Sequence, residues 1–354
     1  MHALIALGEI GEASAVSLGE IVEVLKSDEY EAVRFAAAFA LGKIKKQDAD
    51  AILELVEAAR DGGPLLKVMS FWALARIRPD RADVVRGAAQ KIAEALTSDD
   101  AHLRAVAAQA LVEFDTAPEI VRPVMLKAMQ DADPRVVGKA IDALAALGPK
   151  ALEDIDDVLA NPEARHYATL VIYRMGAKAA PAVPDLVAAL EAVGDTDDDQ
   201  AFRREAHMAL AAIGPGAVEA VPVLVKSLGS SVREVHGSAC YALGKIGPAA
   251  AAAVDRLKET AQQLDKDSGK VGSVWALLKI QPGDKSLAEM AVPMLVGALD
   301  DKDDLVRAEA AVALGEIGKP TAATPEAIEQ LKKLLDDESD QVRQAATEAL
   351  QKLE

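Results

Sequence analysis

The feature that most constrains this chain is that it repeats itself. VRFAAAFALGKI at Val33–Ile44, VHGSACYALGKIG at Val235–Gly247 and VRAEAAVALGEIG at Val306–Gly318 share one apolar register. A unit this short cannot bury its apolar face alone, so copies must stack and hide it between neighbours. Position 0 is set at the residue after the leading Val. It then falls on Arg34, Lys67, Arg104, Val137, Arg165, Arg203, His236, Lys270, Arg307 and Arg343. The mean step is about 34 residues, a solenoid period.

Each unit also carries a preceding apolar helix: VPDLVAAL at Val183–Leu190, VPVLVKSL at Val221–Leu228 and VPMLVGAL at Val292–Leu299. Proline suits a first helical turn, where its missing N–H would be unpaired anyway. An acidic turn separates the two helices, as at Ser98-Asp99-Asp100, Asp131-Ala132-Asp133 and Asp300 to Asp304. Such residues cap the second helix and complement its N-terminal dipole. Gly148-Pro149, Gly214-Pro215 and Gly247-Pro248 stop it. Aromatics make up only 3% of the chain and small alanines abound, which lets helices approach closely.

The recurring ALGxIG and VPxLVxxL strings resemble the HEAT-like repeats, in particular the short bacterial type also found in phycobilisome-lyase-type proteins. The resemblance runs over essentially the whole chain, with weaker register around Val137, Tyr173 and Leu278. It implies an all-α fold, a right-handed α-solenoid of about 10–11 two-helix repeats spanning residues 1–354. Residues 1–11 read as a partial first repeat, beginning inside a second helix. Residues 321–354 read as a C-terminal cap, with Gln344, Glu348 and Lys352 making a polar outer stripe.

Stepping 100° per residue puts positions −1, 3, 6, 7 and 10 on one core arc and positions 1, 5 and 9 opposite. In HEAT-like folds the second helix lines the concave surface, so the resemblance places the latter in a groove. Position 5 reads Phe39, Trp72, Gln109, Asp142, Leu170, Met208, Tyr241, Trp275, Val312 and Glu348, and so holds both tryptophans. With position 1 it predicts two exposed patches, Phe35, Phe39, Val68 and Trp72, then Tyr241 and Trp275 with Val271; His166 is a further position-1 candidate. Exposed aromatic clusters mark interaction sites. Packing of the rings between adjacent helices is the competing expectation. Position 9 adds Lys43, Arg76, Arg174, Lys245 and Lys279, each four residues after a bulky position-5 side chain and within cation–π reach of the rings. Such steps would suit an acidic extended peptide or an anionic aromatic ligand. The position-0 arginines are expected to tie acidic turns of neighbouring repeats together.

The net charge of −18 repels nucleic acid and anionic membranes at long range. No apolar run approaches the roughly 18–20 residues of a membrane span, and the N-terminus lacks a signal-peptide pattern. With the single Cys240 this points to the cytoplasm. None of the five histidines belongs to an HExxH string, so no metal is expected. Asp195-Thr196-Asp197-Asp198-Asp199 opens like a calcium loop but lacks its later Gly and Glu, and reads as a capping turn. Cys240 faces the core side and reads as an inert thiol. No cofactor and no catalytic residue are expected. The function that follows is a non-enzymatic scaffold binding a protein or peptide. The alternative, by resemblance, is a bilin lyase/isomerase-like chaperone whose linear tetrapyrrole carboxylates Arg76, Arg174 and Lys279 would hold.

Overall fold

The computed structural model describes residues 1–114, 116–153, 155–263 and 268–354, with side chains described outside 262–270. The side chain of Lys270, at position 0 of its repeat, therefore lies outside what is described. Every described element is helical, and the chain divides into two compact units, Met1–Glu153 and Asp154–Glu354.

In the first unit, second helices His2–Ile10, Glu31–Ile44, Pro64–Ile77, Ala101–Leu111 and Pro134–Leu147 alternate with first helices Leu18–Ser27, Ala49–Asp61, Ala82–Ala95 and Pro118–Ala128. The second unit holds second helices Arg165–Met175, Asp197–Ile213, Arg233–Ile246, Ser268–Ile280, Asp304–Ile317 and Asp340–Leu353. Their first helices are Ile155–Ala160, Val183–Ala192, Val221–Ser227, Val254–Gln263, Lys285–Ala298 and Pro325–Lys333. The described residues thus form ten pairs after the lone opening helix, matching the periodicity.

Position 7 shows why the pairs stack. It is Leu in every repeat except for Ile172, and each copy is at most 8% exposed, from Leu41 at 0% to Leu350 at 7%. Small residues beside it, such as Ala37, Ala239 and Ala310 at 0%, bring neighbouring helices together. Leu314 is also fully buried, so Leu314→Ala is expected to cost about 2–5 kcal/mol, read from the shift in urea midpoint. A loss under about 1 kcal/mol would mean that this register is wrong.

The acidic turns do two jobs. Asp100, Asp133 and Asp303 cap the second helices by accepting from the backbone N–H of His102, Arg135 and Leu305. The turns also receive three of the position-0 arginines from the preceding repeat, Arg104, Arg165 and Arg307, whereas Arg34 pairs with Glu31 of its own helix and Arg203 and Arg343 bond to their own turns. Arg104 pairs with Asp131 at 2.7 Å and Arg307 with Asp337 at 2.8 Å, and these guanidiniums hold both carboxyls below their ordinary values. Arg104 also donates to the Ser98 carbonyl and Arg307 to the Asp301 carbonyl, so each arginine joins its own turn to the next. His236 takes the same place with a ring nitrogen 3.0 Å from the Leu228 carbonyl. Thr196 and Asp199 form a reciprocal capping box, and Asp199 also accepts from Arg165 at 2.9 Å, so this acidic run caps and ties.

Several second helices end on a glycine with positive φ, although Lys45 ends one of the others in the left-handed region. Gly214 (φ 71, ψ −135) and Gly247 (φ 70, ψ −143) occupy backbone space closed to a Cβ, and each opens a short 3₁₀ turn into the next helix. Two details differ from expectation. Pro293 is not in a first turn, because Asp284 accepts from Leu287 N–H and starts that helix at Lys285; the proline sits inside it. The stretch Asp197–Ser227 reaches a mean hydropathy of 1.8, enough by length and composition to cross a membrane. The chain turns within it at Gly214, and 56% of the apolar window is buried in the protein.

The last helix, Asp340–Leu353, carries a polar outer stripe over a buried apolar face. Gln344, Glu348 and Lys352 are exposed while Val342, Ala346 and Leu353 are buried. Cys240 is fully buried beside His236 and Ser273, and burial pushes its thiol up to about 12, which leaves it unreactive.

Candidate functional site

The ring-and-cation steps exist as side-chain contacts. In the first unit Phe39 and Trp72 stack at 5.7 Å with planes 6° apart; in the second Tyr241 and Trp275 stack at 5.5 Å and 12°. Lys43, Arg76, Lys245 and Lys279 lie over Phe39, Trp72, Tyr241 and Trp275 at 5.5, 5.0, 5.3 and 5.6 Å. Helical geometry alone delivers this, since residues four apart share a face.

The first patch is not the open surface expected. Trp72 is 4% exposed and Val68 3%, while Phe35 and Phe39 are half-buried. The cause is Gly42, at position 8 of the preceding repeat. A Cβ on Gly42 would lie 2.4 Å from Trp72 Cζ3, so the indole occupies the space that a side chain would take. The same fit recurs in the second unit, where a Cβ on Gly244 would lie 2.2 Å from Trp275 Cζ3. Phe39 packs over Gly8 in the same way, 3.2 Å from the Cβ position. Phe39, Trp72 and Trp275 are therefore inter-repeat wedges. The signal was present in the sequence: each tryptophan follows, one repeat later, a glycine at position 8.

Three of the four cations are also engaged by carboxylates. Arg76 pairs with Glu113 of the next repeat and donates to the Gly42 carbonyl at 3.1 Å. Lys43 pairs with Glu9 at 3.6 Å, and Lys279 with Glu316 at 2.8 Å. Glu316 also accepts from Trp275 Nε1 at 2.8 Å. The motif expected to attract an acidic ligand thus carries its own carboxylates. His166 packs on Tyr167 with ring centroids 3.7 Å apart, and Arg174 is exposed near the exposed Leu170. Arg76 belongs to the first unit and Arg174 and Lys279 to different repeats of the second.

The second patch opens onto a groove of about 620 Å³, wholly within the second unit. Tyr241 is 37% exposed there and Trp275 is half-buried, whereas the neighbouring Val271 is buried. Five successive second helices line the groove, from Met208 through Tyr241, Trp275 and Val312 to Ala345. Room comes from small residues at positions 1 and 2: Gly237, Ser238, Gly272 and Ala308. Sequence reasoning followed large side chains and missed these, along with Arg233, Glu234 and Glu309 on the rim and wall. Glu309 is half-buried, and burial, aided by Asp303, pushes its carboxyl up to about 7 against the opposing effect of Arg233.

An all-helical stack with a lined groove is the architecture of an α-solenoid. The sequence matches HEAT repeats over residues 19–111, 89–172, 183–277 and 266–351, and the chain belongs to the HEAT-repeat family. No curated protein matches it. Among solved structures it is similar to yeast importin-beta, Kap95p (TM-score 0.61, 14% identity), covering 95% of this chain and 51% of that one. A Kap95p structure concerned with RanGDP gives TM-score 0.62 at 15% identity, with the same coverage. The chain therefore spans about half the length of these relatives, and at this identity the likeness is one of fold.

Proposed function

We propose that the protein is a non-enzymatic binding scaffold whose docking surface for a partner protein or peptide is the groove of the second unit. The observation that carries this reading is the groove itself, about 620 Å³ lined by Tyr241, Trp275, Val312 and Met208, with Val312 and Leu305 exposed at its wall. Apolar clusters presented by a rigid array are what protein partners bury. The similar solved structures support the reading, since Kap95p is described there with RanGDP, a protein ligand.

The test is selection of short displayed random peptides on the full chain. A Cβ at Gly237 meets nothing within 4 Å, so Gly237→Phe fills the groove without disturbing the helices. Gly297, on a first helix, is equally open, and Gly297→Phe is the control. Selected peptides should lose binding to Gly237→Phe and keep it to Gly297→Phe. Peptides indifferent to Gly237→Phe would place the contact elsewhere. An absorbance change on adding a linear tetrapyrrole, abolished by Gly237→Phe, would instead favour the chaperone alternative.

A further inference from the structure

The charges that face the groove are few, and they do not balance. Among the described residues, the helices lining it contribute Arg233, Glu234 and Glu309. Arg233 is held by Asp303 at 2.8 Å, two repeats away. Glu309 has no hydrogen bond or ion pair among the described residues, although its carboxyl is half-buried against apolar walls. A buried, unpartnered carboxylate is costly, and the cost is relieved by a cation brought to it. The rings beside it need none, because Lys245 and Lys279 already lie over Tyr241 and Trp275.

We propose that the groove recognises a partner segment through a lysine or arginine set between apolar residues, its charged head on Glu309 and its aliphatic stem along Trp275 and Val312. This rests on the groove being the docking surface. It reverses the sign of the partner that the ring-and-cation steps suggested, because three of those four cations, Lys43, Arg76 and Lys279, are spent on Glu9, Glu113 and Glu316. Long cationic side chains suit such a site, since their stems cover apolar surface while their heads reach a carboxylate. The carboxyl must ionise to hold the cation. Among the described residues, the charged groups facing it are Asp303 at the start of its own helix and Arg233 and Glu234 across the groove. The Ser268–Ile280 and Asp340–Leu353 helices contribute neutral lining such as Gly272, Trp275, Gln341 and Ala345.

The same peptide selection decides it, run in parallel on the wild-type chain, on Glu309→Gln and on Gly237→Phe. Enrichment of Lys or Arg between apolar positions on wild type, absent on Glu309→Gln, is the expected result. Replacing that residue by citrulline or norleucine in a selected peptide should weaken binding at least tenfold. Binding should also weaken by about tenfold between about pH 8 and about pH 6, as Glu309 takes up its proton. Peptides that need an open Gly237 but enrich no cation would overturn this inference and leave the groove reading standing. Peptides that ignore Gly237→Phe, or no enrichment at all, would overturn both.

Discussion

Trp72→Ala is expected to lower the stability of the protein by about 3–5 kcal/mol, the cost of emptying a fully packed aromatic site. Its indole is 4% exposed, stacks on Phe39 and fills the space above Gly42. Trp275→Ala makes the instructive comparison. Trp275 fits over Gly244 in the same manner, yet it is half-buried and one edge opens to the groove, so its removal should cost distinctly less. The glycines should respond from the other side of the contact. Gly42→Ala would favour an isolated helix by about 1 kcal/mol, but overpacking against the indole costs about 1–3 kcal/mol. The net change should therefore be destabilising. Urea unfolding followed by circular dichroism reads all three variants. Repeat arrays need not unfold in one step, so the comparison belongs to the transition in which each residue's own unit melts. Equal losses from the two tryptophan variants would contradict the different burial of the two rings.

The contrast shows how far the sequence could be read. The repeat, its core register and the arginine ties follow from chemistry that recurs along the chain: Leu at position 7 in all repeats but one, and in several repeats a capping Asp in the turn and an Arg at position 0. Side-chain neighbours within one helix were equally legible, because a spacing of four fixes them, and all four cation-over-ring contacts stand where that spacing puts them. What a ring does between helices was not legible from its own position. Trp72 and Trp275 share position 5, but the local opening of the groove decides how much of each ring meets solvent. That opening depends on Gly237, Gly272 and Ala308, side chains whose smallness reads as tight packing in a sequence and as empty space in the structure. Leu170 is exposed as position 5 predicts, whereas the exposed Tyr173 falls where the repeat register is weakest and was assigned no role.

A pH series gives the second large effect, and it depends on two groups that oppose each other. His207 is fully buried between Ser238 Oγ at 2.9 Å and Ser227 Oγ at 3.2 Å. Burial, reinforced by Arg203, lowers it from 6.5 to about 3. The unfolded chain therefore takes up this proton below about 6.5 while the folded chain does not, and stability falls as pH falls towards about 3. Glu309 behaves in the opposite sense. Its folded value of about 7 exceeds its ordinary 4.5, so its contribution is fully present below about 4.5 and is lost as pH rises through about 7. Between about pH 4.5 and 6.5 the folded chain holds the Glu309 proton and the unfolded chain the His207 proton. The two slopes, each about 1.4 kcal/mol per pH unit, cancel there. Glu309→Gln removes one of them. The variant should show stability rising by about 1.4 kcal/mol per pH unit across that window, where these two groups give the wild type no net slope. It should also unfold at higher urea than wild type at about pH 8, where Glu309 is ionised in the half-buried groove. Urea midpoints at several pH values read both outcomes. Parallel pH curves for the two proteins would mean that Glu309 ionises in the folded chain much as it does in the unfolded one, and its carboxylate would then gain little from a partner's cation.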